Sequence, residues 1–247
     1  ANSESFDNWV PNRRIKWQFD IYLVGSCPSC PVGNLSEAKT PEKYMRPELL
    51  ERIIRKAKSE CRLTEINLYN WTEPFLHPNL SEMIRIVRSH KVPCGLSTNL
   101  NLLNDIDDVM AANPDMLKVS LSGFSQKIYG RTHRKGDIEL VKRNMAEVAR
   151  AKERAGVTTR LVVAYHRYLG NHQDEATMQA YAESLGFKME PAWAFFMPLE
   201  KMLAFAGSDM IDAAINTEDR QIIDLLALPL ADALAAAQSA PQQSCPL

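Results

Sequence analysis

Two cysteines two residues apart, Cys27 and Cys30, are the residues of this chain that most directly suggest chemistry. They lie in the stretch GSCPSCPVGN, directly after the run 17–24, whose β-branched and aromatic residues are typical of a strand. Thiolates at the end of a strand can ligate a metal or form a redox-active pair. Because two thiolates rarely complete a metal site, the pattern calls for further ligands.

Composition limits the classes of protein to which the chain can belong. It has 247 residues, 45% hydrophobic and 24% charged, as in globular proteins, and the net charge of −1 predicts no nucleic-acid partner. The apolar region 222–237 contains two aspartates and a proline, so no membrane partner is expected. Five cysteines, with a polar N-terminus, predict a cytoplasmic protein without a disulfide framework.

Apolar runs alternate with amphipathic runs along most of the chain. The predicted strands are 17–25, 65–71, 92–98, 116–123, 158–168 and 187–196. The predicted helices between them are 46–60, 79–90, 103–113, 137–156 and 174–186. This order predicts an α/β fold, a partial (β/α)6 TIM-like barrel of parallel strands with outer helices. We expect an N-terminal arm over 1–16, the barrel over 17–200 and a helical region over 201–247.

Polar residues follow the predicted strands, where the carboxyl ends of parallel strands place a site. After the first strand come Cys27 and Cys30, and no GxGxxG motif follows, which disfavours dinucleotide binding. The polar or aromatic residues after the later strands are Glu73, Ser97, Thr98, Asn99, Ser120, Ser122, Arg131, His133, Arg134, Tyr165, His166, Glu190 and Trp193.

Four segments in order carry a resemblance to a known family. They are INLYNWTEPFLHPNL at 66–80, GLSTNLN at 95–101, VSLSGFSQKIYGRTHRKGDIELVKRNM at 119–145, and SCPL at the end. Together they resemble the radical SAM enzymes, and specifically the class with a cysteine-rich C-terminal extension known as SPASM. Here the extension would be truncated or disordered, and Cys245 would belong to an auxiliary iron–sulfur cluster.

The resemblance implies a [4Fe–4S] cluster and S-adenosylmethionine (SAM) as cofactors. The cluster would cleave SAM reductively to a 5′-deoxyadenosyl radical, which abstracts hydrogen from a peptide or small-molecule substrate. The electron would come from a reductant such as flavodoxin or ferredoxin. By position in the motifs, Cys27 and Cys30 would ligate the cluster. The residues implied to contact SAM are Glu73 at the amino group, Ser122 and Arg134 at the carboxylate, Asn99 near the ribose or methionyl group, and Tyr22 at the adenine.

The cluster loop departs from the family pattern. The family has CxxxCxxC, whereas this chain has only Cys27 and Cys30. Either the protein has lost the cluster, or four residues with the central cysteine belong between Cys27 and Pro28 in the encoded protein. We favour the second interpretation, which makes these cysteines the outer two of three ligands.

Two other classes of function stay open from the residues themselves. A relative without a cluster would act as a binding module in the barrel mouth, and a CxxC pair could instead bind zinc in an α/β protein. Cys61 and Cys94, at a helix end and in a strand, are interpreted as small buried apolar residues.

Overall fold

The computed structural model describes residues 14–18, 44–70, 73–194 and 224–226. These residues form one sheet of six parallel strands whose order follows the sequence. The strands are β1 Arg14–Gln18, β2 Arg62–Asn67, β3 Cys94–Thr98, β4 Met116–Leu121, β5 Arg160–Arg167 and β6 Lys188–Trp193. The helices are α1 Pro47–Glu60, α2 Leu80–Ser89, α3 Ile106–Ala111, α4 Gln126–Tyr129, α5 Ile138–Ala155 and α6 His172–Ser184.

The strand order distinguishes between the two sheet types that βα repeats can form. A doubly wound sheet reverses its strand order at a switch point, whereas here every strand pairs with its predecessor. The predicted α/β partial TIM-like barrel is therefore confirmed.

The helices cover one face of the sheet because their apolar residues recur with helical spacing. In α1 the buried residues Leu50, Ile54 and Ala57 follow Pro47, which occupies the first turn. In β4 the core residues Leu117, Val119 and Leu121 alternate with half-buried ones, so the helix-facing side is apolar. We call the opposite side of the sheet the inner face.

Helix α5 begins and ends where local sequence signals place it. The Asp137 carboxylate accepts hydrogen bonds from the backbone N–H groups of Glu139 and Leu140, at 2.9 and 3.2 Å. Gly156 follows the helix with a φ of 64°, the left-handed conformation that glycine adopts without strain. These signals are local in the chain, which is why the sequence predicts this helix to within one residue at each end.

Element boundaries differ from the sequence prediction elsewhere. Strand β1 begins at Arg14, inside the segment predicted as an arm, and β2 begins at Arg62. Helix α3 begins only at Ile106, because Asp105 has a left-handed φ of 49° that cannot continue a helix. The short helix α4 is not predicted. The predicted C-terminal helical region lies outside the described residues, apart from 224–226.

Within the described part of the chain, no helix has the length and apolarity that crossing a bilayer would need. The short segment 224–226 lies beside the end of β5. Leu226 forms an antiparallel bridge with Tyr168, and the Leu169 N–H donates to the Leu225 carbonyl at 2.8 Å. This segment therefore returns to the edge of the sheet at which the strands end.

Candidate functional site

The carboxylate of Glu73 ties the loop after β2 to the end of β3. Its side chain is buried and accepts hydrogen bonds from the Thr98 hydroxyl at 2.7 Å and the Asn99 backbone N–H at 2.9 Å. A third donor, the Phe75 N–H at 3.2 Å, begins the 3-10 turn Pro74–Leu76. Glu73 thus fixes the loop after β2 against the end of β3 at the mouth of the barrel.

Burial raises the pKa of Glu73 to about 7, although the hydrogen bonds from Asn99, Thr98 and Phe75 oppose this shift. The carboxyl is therefore near its titration midpoint at neutral pH. A cation placed beside it would lower its pKa and favour the ionised form. A carboxyl group whose ionisation is favoured by a neighbouring cation is suited to bind an ammonium group.

Asn99 belongs to a hydrogen-bond network that Asn101 extends to the α4–α5 connection. The Asn99 side-chain oxygen accepts from the Asn101 backbone N–H at 2.9 Å and from its amide at 3.1 Å. The Asn101 amide donates to the Tyr129 hydroxyl at 2.7 Å, and its oxygen accepts from the Asp137 N–H at 2.9 Å. Asn101 therefore connects the end of β3 to both ends of segment 129–137.

Ser122 lies just after β4 and is buried with its hydroxyl engaged. The hydroxyl is hydrogen-bonded to that of Thr132 and lies 3.0 Å from Nδ1 of His133. The His133 ring stacks on Tyr129, with ring centroids 4.3 Å apart and planes 12° apart. Burial, with His166 nearby, lowers the pKa of His133 to about 3, so this imidazole is neutral at physiological pH.

Arg134 is exposed in the same connection. The connection is fixed on both sides of it, since His133 is hydrogen-bonded to Ser122 at 3.0 Å and the Asp137 N–H is hydrogen-bonded to Asn101 at 2.9 Å. Among the described residues, the Arg134 guanidinium has no hydrogen-bond or ion-pair partner. An exposed guanidinium on a fixed loop is available to bind an anion.

The structure therefore brings several predicted residues together. Glu73 and Asn99 are in direct contact, while Ser122 and the Arg134 loop join them through one network. Asn101 and Tyr129 are members that sequence reasoning missed. The only signal for them was their place inside the motif segments, at 95–101 and 119–145.

The predicted ligands Cys27, Cys30, Cys245 and the predicted adenine contact Tyr22 lie outside the described residues. Cys61 and Cys94 lie at the start of β2 and β3, at the end of the sheet opposite Glu73. Four residues of strand, about 13 Å, separate Cys94 from Thr98. Burial raises the pKa of the Cys94 thiol, which disfavours the thiolate. Within the described ranges, no group of three or more His, Cys, Asp or Glu residues could hold a metal ion.

The sequence model of the Radical SAM superfamily matches residues 24–169, which is more than half of the chain. The chain belongs to the radical SAM superfamily. Membership implies a [4Fe–4S] cluster and SAM. Among curated proteins, no sequence matches the chain.

Solved structures of low identity share the radical SAM fold of this chain. SuiB of Streptococcus suis, solved with SAM, has a TM-score of 0.59 at 11% identity, covering 76% of this chain and 42% of SuiB. anSMEcpe with bound AdoMet has a TM-score of 0.55 at 15% identity, covering 75% of this chain and 52% of anSMEcpe. TYW1 with a lysine–pyruvate adduct has a TM-score of 0.50 at 18% identity, covering 82% and 74% of the two chains. This radical SAM chain thus spans about two fifths of the length of SuiB.

Two described residues of this radical SAM chain have the chemistry to fit SAM. Arg134 presents an exposed guanidinium of the kind that binds a carboxylate, and the raised pKa of Glu73 suits an ammonium neighbour. Ser122 differs, because its hydroxyl is already shared with Thr132 and His133. The contacts of Glu73, Ser122 and Arg134 with SAM all stay predictions.

Proposed function

We propose that this protein is a radical SAM enzyme of the SPASM-containing class that abstracts hydrogen from a peptide or small-molecule substrate. The observation that carries the proposal is the superfamily match over residues 24–169, which extends from the cysteine pair to the end of β5. The hydrogen-bonded polar residues at the mouth of the barrel support it.

Cys27 and Cys30 are the proposed cluster ligands, as the outer two of three. The third thiolate is not Cys61 or Cys94, because both lie at the opposite end of the sheet from the mouth. We therefore infer that the central ligand is encoded between Cys27 and Pro28. Sequencing the gene across these codons tests this inference, which fails if the two codons are adjacent.

Bound at the cluster, SAM would supply a 5′-deoxyadenosyl radical once a reductant such as flavodoxin or ferredoxin had donated one electron. In this chain Arg134 would bind the SAM carboxylate bidentately, with Ser122 beside it. Glu73 would receive the amino group, and Asn99 would lie near the ribose or methionyl group. Tyr22 would contact the adenine. The barrel walls would keep water away from reactive species.

The proposed substrate is a peptide or a small molecule. The structure of SuiB bound to its precursor peptide SuiA has a TM-score of 0.59 to this chain at 11% identity, so it is an example of a peptide-binding protein with this fold. Cys245 in the final SCPL is the proposed first ligand of an auxiliary cluster. The likeness to SuiB and the proposed role of Cys245 are compatible with either a peptide or a small metabolite as the substrate.

Anaerobic reconstitution of the full-length protein with iron and sulfide tests the proposal. We expect iron uptake and formation of 5′-deoxyadenosine from SAM and dithionite. Cys30→Ala should abolish both, whereas the matched control Cys94→Ala should keep both, because Cys94 lies far from the mouth. Absence of iron uptake by the wild-type protein would overturn the enzyme proposal. Bound zinc would then favour a zinc protein, and a metal-free folded protein would favour a binding module.

A further inference from the structure

The inner face of the sheet carries a group of polar side chains below the mouth. Strand alternation and register place them on one side, since they alternate with core residues. Lys118 lies at the centre, with Ser97 of β3 and Val162 of β5 as its register partners. The polar members are Asn67, Ser97, Lys118, Ser120 and His166.

Lys118 is half-buried and carries a positive charge that the described part of the chain does not neutralise. Its ammonium lies 5.4 Å from the centroid of the Tyr69 ring, a cation–π contact, and none of the described carboxylates forms an ion pair with it. On β6 the Glu190 carboxylate is already paired with Lys188 at 3.1 Å. A half-buried ammonium without a counter-ion is a strong attractor for an anion.

Hydroxyl and imidazole groups flank this ammonium on the same face. The hydroxyl groups of Ser97 and Ser120 are hydrogen-bonded to each other at 3.3 Å, which leaves one hydroxyl proton to donate to a further acceptor. Burial, with Lys118 nearby, lowers the pKa of His166, which therefore stays neutral at neutral pH. Neutral donors beside one cation match an oxygen-rich anion.

Asn67 is an independent sign of a missing polar partner. It is fully buried, and among the described residues neither its amide nitrogen nor its amide oxygen has a hydrogen-bond partner. Its side chain lies over Gly95, where an added Cβ would come within 2.1 Å of the Asn67 oxygen. Buried amides are nearly always hydrogen-bonded, because leaving one unpaired is costly. A polar ligand on the inner face would satisfy it.

We propose that the inner face binds a carboxylate or phosphate group of the substrate through Lys118, Ser97 and Ser120, with Asn67 as a further hydrogen-bond partner. The proposal rests on the proposed function, since it places the substrate of that reaction. Lys118 is in register with Ser97, so it lies two residues, or about 7 Å, below Asn99 along the strand direction, and it precedes Ser122 by four residues. Lys118 therefore lies below the residues proposed for SAM, with Ser97 level with it and Ser120 two residues nearer the mouth.

The test compares Lys118→Met, which keeps the aliphatic stem but removes the charge, with Lys127→Met at an exposed position of helix α4. Titration calorimetry on the reconstituted protein with SAM measures the dissociation constants of inorganic phosphate and acetate at constant ionic strength. We expect at least one probe to bind the wild type and Lys127→Met equally. Lys118→Met should raise its dissociation constant at least ten-fold. The stronger probe identifies the substrate group as phosphate or carboxylate.

Formation of 5′-deoxyadenosine with dithionite and no substrate keeps the two proposals apart. Lys118→Met should retain this activity, because Lys118 lies below the proposed SAM residues. If the wild type binds neither probe, or if Lys118→Met binds as tightly as the wild type, the anion site is wrong. If the wild type binds a probe but never cleaves SAM, only the enzyme proposal fails. If Lys118→Met does not fold, Ser120→Ala replaces it, and this variant must raise the dissociation constant of the same probe several-fold.

Discussion

Replacing Glu73 by glutamine removes the one described carboxylate at the barrel mouth whose titration depends on burial. Burial raises its pKa from 4.5 to about 7. Between these two values the folded protein holds a proton that the unfolded chain has lost. The contribution of Glu73 to the free energy of unfolding is therefore fully present below pH 4.5 and is lost as the pH rises through 7.

The size of this effect follows from the difference between the two pKa values. A difference of about 2.5, at about 1.36 kcal/mol for each, gives on the order of 3 kcal/mol in total. About 2.5 kcal/mol of this is lost between pH 5 and pH 8. Glutamine does not titrate, so Glu73→Gln should lack this loss. The glutamine amide group would also face the Asn99 N–H, which donates a hydrogen bond to the Glu73 carboxylate at 2.9 Å.

Urea unfolding at pH 5 and pH 8, without SAM, measures the effect. The free energy of unfolding of the wild type relative to Glu73→Gln should fall by about 2.5 kcal/mol between the two pH values. Glu48→Gln is the matched control, because it removes an equal charge from an exposed position in the first turn of α1. If the wild type and Glu73→Gln change in parallel to within about 1 kcal/mol, the carboxyl is not held neutral by burial and the reasoning is refuted.

Two further predictions concern the connection that carries Arg134. Asp137→Ala removes the side-chain acceptor for two N–H groups at the start of α5 and should lower the free energy of unfolding by about 1 kcal/mol, measured by urea unfolding; no change would show that water replaces the cap. Asn101→Ala removes the bonds to Tyr129 and Asp137, so it should weaken SAM binding about ten-fold, or about 1.4 kcal/mol, with iron content unchanged. Calorimetry with SAM checks this, and wild-type affinity in Asn101→Ala would exclude a positioning role.

The sequence by itself determined the order and type of most elements. Alternating apolar runs and helix-end signals such as Pro47, Asp137 and Gly156 act within a few residues, so they predict helices and strands directly. Repetition of βα units then restricts the sheet to parallel strands. The motif segments likewise located Glu73, Asn99 and Arg134 at the mouth, because the carboxyl ends of parallel strands share one edge.

Only the tertiary structure decided what surrounds each of these residues. The raised pKa of Glu73 comes from its burial beside the end of β3, and the network through Asn101 joins residues 28 and 36 positions apart. The position of Cys94 at the far end of the sheet, and of Lys118 on its inner face, depends on strand register. Register and burial arise from contacts between distant segments, and a local pattern in the sequence does not contain them.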